Sequence, residues 1–319
     1  MGESMTTQTT LSHSESQSGD DTSFQSGFVT LVGRPNAGKS TLINAIMGKK
    51  VAITSDTAQT TRHRFRAVKT TDTFQLVLID TPGIHKPHDA LGQELNESAI
   101  QALDGIDVVA FLVDGTKPVG TGDEWVSRII APIKAKKVLV ITKIDLIDQD
   151  TIDAQMEAAS ALADWDAKIQ LSAVSGEGVE FFLNKMASLL PVGPRWFPAD
   201  METDQPLEVV VAEFIREKIL RSFYDEVPHA IGVVVDELEY VRRKDLERVF
   251  ATIFVEHESQ KGIIIGKRGA ALKAIGQAAR IDLEQLLGCR VYLDLHVKVK
   301  KNWRRDLNQI RRFGYGEGI

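Results

Sequence analysis

Gly33-Arg34-Pro35-Asn36-Ala37-Gly38-Lys39-Ser40-Thr41 sets two glycines five residues apart, directly ahead of a lysine and a hydroxyl. That spacing suits a loop whose backbone N–H groups wrap a polyphosphate, because glycine brings the main chain close without a Cβ in the way. Lys39 can reach the outer phosphates, and the Ser40 hydroxyl can ligate Mg2+. An apolar run over residues 28–33 precedes the loop, and an amphipathic run, Lys39–Met47, follows it. The loop therefore stands between a strand and a helix N-terminus, whose dipole favours an anion.

A phosphate cradle does not choose a base, and two further segments do. Asp80-Thr81-Pro82-Gly83-Ile84 ends an apolar run. Asp80 is the expected carboxylate near Mg2+, and the Gly83 N–H is placed to sense a γ-phosphate. Thr142-Lys143-Ile144-Asp145 ends another strand pattern. The Asp145 carboxylate can accept from guanine N1–H and its exocyclic amine, a pair of donors that adenine lacks. Ser172-Ala173-Val174 follows the next strand and can offer a backbone donor to guanine O6. GTP and GDP are the nucleotides these segments expect.

These residues need a scaffold. The 319 residues suit two domains, and the composition, 43% hydrophobic and 26% charged, is that of a globular chain. One cysteine, Cys289, excludes an intramolecular disulfide and any multi-cysteine metal site, and with it a reducing, cytoplasmic setting is expected. Residues 1–27 are polar and read as a disordered tail; Met1-Gly2 fits the myristoylation pattern formally but lacks a supporting polybasic segment. From residue 28 to 190, near-continuous apolar strands alternate with helical patterns, which predicts an α/β domain with a mostly parallel sheet. Four prolines between residues 191 and 206 mark a linker. Residues 207–319 then read as helix, two strands, helix, strand and a basic closing helix over 302–313. The net charge of −6 hides an asymmetry: residues 259–319 carry 13 Lys/Arg against 5 Asp/Glu.

That basic region holds Ile263-Ile264-Ile265-Gly266-Lys267-Arg268-Gly269, directly before a helical pattern. A Gly-x-x-Gly turn lets a nucleic-acid backbone approach, while Lys267, Arg268 and the helix N-terminus supply charge. Ile264 and its neighbours are expected to form an apolar floor beneath the bases. Trp303 and Phe313 read as packing residues, and six of the seven histidines, at 63, 85, 88, 229, 257 and 296, show no metal-ligand spacing.

Together these motifs resemble the Era-type ribosome-assembly GTPases, and the resemblance covers the chain from residue 28 onward. It implies a P-loop GTPase domain followed by an α+β type II KH domain. It makes Ala58-Gln59-Thr60-Thr61-Arg62-His63-Arg64 the first switch segment, with Thr61 closing on Mg2+ and the γ-phosphate, Thr60 the neighbouring candidate for that role, and Thr61 acting with Lys39 and Gly83 in hydrolysis. By the same resemblance Asn36 corresponds to a residue that binds K+ in some relatives. The implied partner is the 3′ end of 16S rRNA in the small ribosomal subunit, bound by a monomer. There are two departures. Thr142 stands where such proteins usually carry Asn, so a weaker contact with the purine or the P-loop is expected. Ile84 stands where Ras-like enzymes carry a water-positioning Gln, so slow hydrolysis is expected. The alternatives are a peripheral membrane or cell-cycle GTPase on the inner face of the cell membrane, whose basic C-terminus binds anionic lipid, and a P-loop kinase. The kinase is disfavoured by the guanine-reading segments and by the lack of a recognisable acceptor lid.

Overall fold

The computed structural model describes residues 24–55, 60–84, 89–223 and 227–315, without the His229 side chain. The N-terminal unit runs β1 (Gln25–Gly33), α1 (Lys39–Met47), β2 (Phe65–Thr70), β3 (Phe74–Asp80), α2 (Ala90–Gln101), β4 (Val108–Asp114), α3 (Thr121–Ile130), β5 (Lys136–Thr142), α4 (Gln149–Ser160), β6 (Ala167–Gln170) and α5 (Val179–Leu189). Its sheet has the order β2-β3-β1-β4-β5-β6, and only β2 runs antiparallel. Val108–Asp114 is buried at every position, as a strand covered on both faces must be. The alternating strands and helices of the sequence pattern are thus realised as a doubly covered α/β sheet.

The boundary expected at Phe28 lies too late. β1 begins at Gln25 because Gln25, Ser26 and Gly27 pair with Phe74, Gln75 and Leu76, and Phe24 is already buried. The expected tail otherwise lies outside the described residues.

The second unit comprises α6 (Leu207–Ser222), β7 (Gly232–Val241), β8 (Leu246–Val255), α7 (Glu258–Ile265), α8 (Ala270–Leu287), β9 (Arg290–Val299) and α9 (Leu307–Arg312). Its sheet orders β7-β8-β9, with β8 and β9 parallel. Two elements differ from the sequence reading. Residues 258–265 form a helix, and the basic closing helix is broken into a short 3-10 turn, Trp303–Arg305, and α9. Asp306 interrupts it, capping α9 through bonds from the N–H groups of Asn308 and Gln309.

Residues 191–206 do not form a free tether. The Gln75 side chain accepts from the N–H groups of Trp196 and Phe197 and donates to the Phe197 carbonyl, while Val68 N–H donates to Glu202. The connection is laid along the sheet before α6 begins. The two units also share cores: Ile53 packs in the apolar cluster of the second unit, and Leu91 and Leu95 of α2 pack with Trp303, Ile310, Phe313 and Tyr315.

Candidate nucleotide and nucleic-acid sites

The P-loop sits at the C-terminal end of β1, beside a cavity of about 460 Å³. Gly38, Lys39, Ser40, Thr41, Pro35 and Asn36 line it from one side, Thr60, Thr61 and Gly83 from another. Lys39 is buried, with 6% of its surface exposed, and donates to the carbonyls of Gly33 and Arg34. Burial lowers its pKa to about 8 although Asp80 pulls it upward. A phosphate would supply the counter-charge that this ammonium lacks. Arg34, by contrast, points away and is paired with Asp123 on α3 at 3.1 Å.

The three residues expected to hold Mg2+ meet. The Ser40 hydroxyl donates to Asp80 Oδ2 at 2.6 Å and lies 3.0 Å from Thr61 Oγ1, which in turn lies 3.3 Å from Asp80. Asp80 Oδ1 is buried with no hydrogen-bond partner among the described residues. Burial raises the Asp80 pKa, opposed by Lys39, Ser40 and Thr61. Three converging oxygen donors with one orphaned carboxylate oxygen fit a small hard divalent cation. Mg2+ bound there would neutralise charge on the terminal phosphates.

Other residues expected at the nucleotide serve as frame. Thr81 is buried and donates to Leu31, Ala37 and Pro82 are buried, and Ile144 belongs to a core cluster. Ile84 is corrected in the same way: its side chain is buried among Val32, Phe111 and Val126, so it faces the core rather than the cavity. Gly83 approaches the P-loop so closely that a Cβ there would lie 2.7 Å from Pro35 N, which explains glycine at that position. Thr142 reaches the P-loop. Its hydroxyl lies 2.9 Å from Ala37 O and 3.1 Å from Val113 O, within donating range of both. Lys143 lines the cavity and is paired with Asp114 at 2.7 Å, which lies among the groups that draw the Asp114 pKa down against its desolvation. Asp145 is exposed beyond Lys143, and Ile144 N–H bonds Leu171 O, bringing this loop beside Ser172-Ala173-Val174. Ser172 is buried and braces its own turn by accepting from Ser175 N–H, whereas Ala173 is half-buried and the Val174 side chain is exposed.

The first switch segment is built into the second unit, which the sequence did not reveal. Arg216 of α6 donates to the Thr60 carbonyl. Arg62 is buried, donates to Ile231 O at 2.5 Å and lies over the rings of Trp303 and Tyr315. Glu213 holds Arg216 and faces His63; against its burial, Arg216 and His63 bring its pKa below the ordinary 4.5. Residues 56–59 and 85–88, including Ala58, Gln59 and His85, lie outside the described residues.

On the second unit, Gly266, Arg268 and Gly269 all take positive φ, at 70°, 53° and 78°. Glycine is needed at 266, where a Cβ would also lie 2.7 Å from Ala271. Lys267 and Arg268 are exposed at the N-terminus of α8. Beside them runs a groove of about 480 Å³, lined by Lys273, Gln277 and Arg280 of α8 and by Tyr292 of β9, to none of which the sequence reading gave a binding role. Ile264 is corrected: at the end of α7 it is fully buried in the core, so it supports the turn and offers no surface to a base. Trp303 and Phe313 are buried, as expected of packing residues. Among the described residues no group of three or more His, Cys, Asp or Glu side chains could hold a metal, and no helix is long and apolar enough to cross a membrane.

The family model described as 50S ribosome-binding GTPase matches residues 28–143, and the KH domain model matches residues 226–304. GTPase Era of Mycolicibacterium smegmatis is 46% identical over 298 residues, covering 92% of this chain and 100% of the relative. The chain belongs to the Era family of GTPases. Era of Mycobacterium tuberculosis H37Rv is likewise 46% identical, over 299 residues and 92% of the chain. Two crystal structures of Era proteins superpose over 92% of the chain at 37% identity. One, in complex with MgGDPNP and nucleotides 1506–1542 of 16S ribosomal RNA, gives a TM-score of 0.89; the other, an Aquifex aeolicus Era variant bound to GDP·AlF4−, gives 0.88. They cover 99% and 100% of those Era chains, so both the GTPase and the KH unit lie within the match.

Proposed function

We propose that this Era-family chain is a GTP-operated RNA-binding switch that grips the 3′ end of 16S rRNA during assembly of the small ribosomal subunit. The observation that carries the reading is that Ser40 and Thr61, which line the cavity, meet on the buried Asp80 behind them, while the residues flanking Thr61 are gripped by the RNA-binding unit. In this reading the P-loop N–H groups and Lys39 hold the phosphates, and Ser40, Thr61 and Asp80 hold Mg2+. Gly83 N–H senses the terminal phosphate, and Asp145 with the Ser172-Ala173-Val174 turn reads guanine. Water attacks slowly, because Ile84 is buried and has no polar atom with which to orient it. Asn36, in the left-handed region at φ 64°, is assigned to K+. RNA follows the groove between α8 and β9, its phosphates on the Gly-x-x-Gly turn.

The test is binding of full-length, GTP-analogue-loaded protein to a 16S 3′-end oligonucleotide and, separately, to anionic vesicles. Lys267→Glu/Arg268→Glu should abolish detectable RNA binding while leaving nucleotide affinity unchanged. Retained RNA binding would remove the turn from the interface. Vesicle binding without RNA binding would favour a peripheral-membrane role instead.

A further inference from the structure

One residue of the nucleotide cavity's lining is not supplied by the N-terminal unit. Arg221, on the last turn of α6, lines the cavity together with Ile53, Thr54 and Ser55. The cavity lining contains three cations, Lys39, Lys143 and Arg221, and no carboxylate. Lys143 is already neutralised by Asp114. Arg221 is fixed rather than waving in solvent: Nε and Nη2 donate to the Thr54 carbonyl and hydroxyl at 3.2 and 2.9 Å, and Nη2 also reaches Glu217 at 3.1 Å. Glu217 is fully buried and accepts from Thr54 N–H, Lys50 and Lys218 as well. Its neighbour Asp282, on α8, pairs with the same two lysines. Around these two carboxylates stand three cations, Lys50, Lys218 and Arg221, so one positive charge is left over. Arg221 is the most exposed of the three, at 52% against 31% and 11%, and it alone borders the cavity.

We propose that Arg221, contributed by the RNA-binding unit, binds the phosphates of the guanine nucleotide held by the other unit. This rests on the reading of the cavity as a guanine-nucleotide site. A guanidinium already positioned by a buried carboxylate loses little conformational freedom on meeting a phosphate, and the bond is charge-assisted. A reciprocal linkage follows. Undocking of α6 removes a phosphate ligand, and a bound nucleotide holds α6 in place by the same free energy.

The experiment compares full-length wild type, Arg221→Ala, Arg221→Lys and Thr54→Ala by competition titration with GDP and, at millimolar concentration, with guanosine. Arg221→Ala should weaken GDP roughly tenfold, the loss of one hydrogen bond to a charged group, with guanosine changed less than twofold. Arg221→Lys should recover part of that loss, because it keeps the charge. Thr54→Ala should cost GDP less than Arg221→Ala does. An equal loss for GDP and guanosine would mean that Arg221 merely shapes the site, and an unchanged GDP affinity would remove it from the nucleotide altogether. Failure of wild type to prefer GDP to ADP would instead overturn the guanine-nucleotide reading itself.

Discussion

The molecule has two places built for phosphate, and they are built in opposite ways. At the P-loop, Lys39 is buried, its pKa drawn down by desolvation, and the surrounding oxygens already meet one another. At the Gly-x-x-Gly turn, Lys267 and Arg268 stand in solvent beside an open groove. A desolvated, fixed charge gives a strong and selective contact, because an unmet charge there is expensive. Exposed charges bind through release of counterions, which gives reach along a strand and sensitivity to salt. The first arrangement suits a small ligand recognised atom by atom, the second a long polyanion read by shape.

The contrast is sharpest at Lys39. Lys39→Ala should lower GDP and GTP affinity on the order of 100- to 1,000-fold, since removing one partner of a buried charge contact costs about 2–5 kcal/mol. RNA affinity of the nucleotide-free protein should stay within twofold in a filter assay; a parallel loss would show that the two grips are not separable. Asp145→Asn comes next. Losing two hydrogen bonds to a carboxylate should weaken GTP on the order of 100-fold and turn preference toward XTP, measured by competition, while RNA binding stays unchanged. The smallest effect separates the sites by salt alone. Raising salt from 50 to 200 mM should weaken single-stranded RNA by about sevenfold on account of Lys267 and Arg268, taking about 0.7 of a counterion per phosphate contact. GDP affinity should respond far less, and equal slopes would erase the distinction.

What was readable in the chain follows from range. The P-loop, Asp80, the Thr142–Asp145 segment and the Gly-x-x-Gly turn are local: each motif stands at the end of its own strand or the start of its own helix. Helices α1 and α8 fell where the sequence pattern put them because their caps are glycines in the left-handed region. Helix α7 was missed because it carries Gly262 and three successive isoleucines, poor helix formers that burial of Ile264 overrides. The contacts of Arg62, Arg216, Glu217 and Arg221 were out of reach for another reason. Each joins residues more than 150 positions apart, and nothing in a charged residue's neighbours says which distant backbone group it will meet. One hint was present: apolar residues on α6 occupy more than a single stripe, from Val210 and Val211 through Phe214, Ile215, Ile219 and Leu220. A helix apolar around so much of its circumference must be covered from two sides.

The two docks between the units divide the labour similarly. Around α6 ion pairs stand beside the apolar contact of Ile53, whereas α2 meets an aromatic cluster whose rim pairs, Arg304 with Asp89 and Arg311 with Glu94, lie at 3.6 and 3.4 Å. Burying Leu91, Leu95 and Trp303 contributes about 1.5–3 kcal/mol each, against about 0–1 for such part-exposed ion pairs. Adhesion therefore resides with the aromatic cluster, and orientation with the charges on α6.

Tyr315 gives that arrangement a practical edge. It is buried, packs on His63 at 4.9 Å between ring centres and forms one side of the box around Arg62. Tyr315 thus acts as a wedge under the catalytic half, about 250 positions upstream. Trimming the chain before this tyrosine, or crowding it with a fused handle, would loosen Arg62 from a distance; purification tags belong at the opposite terminus.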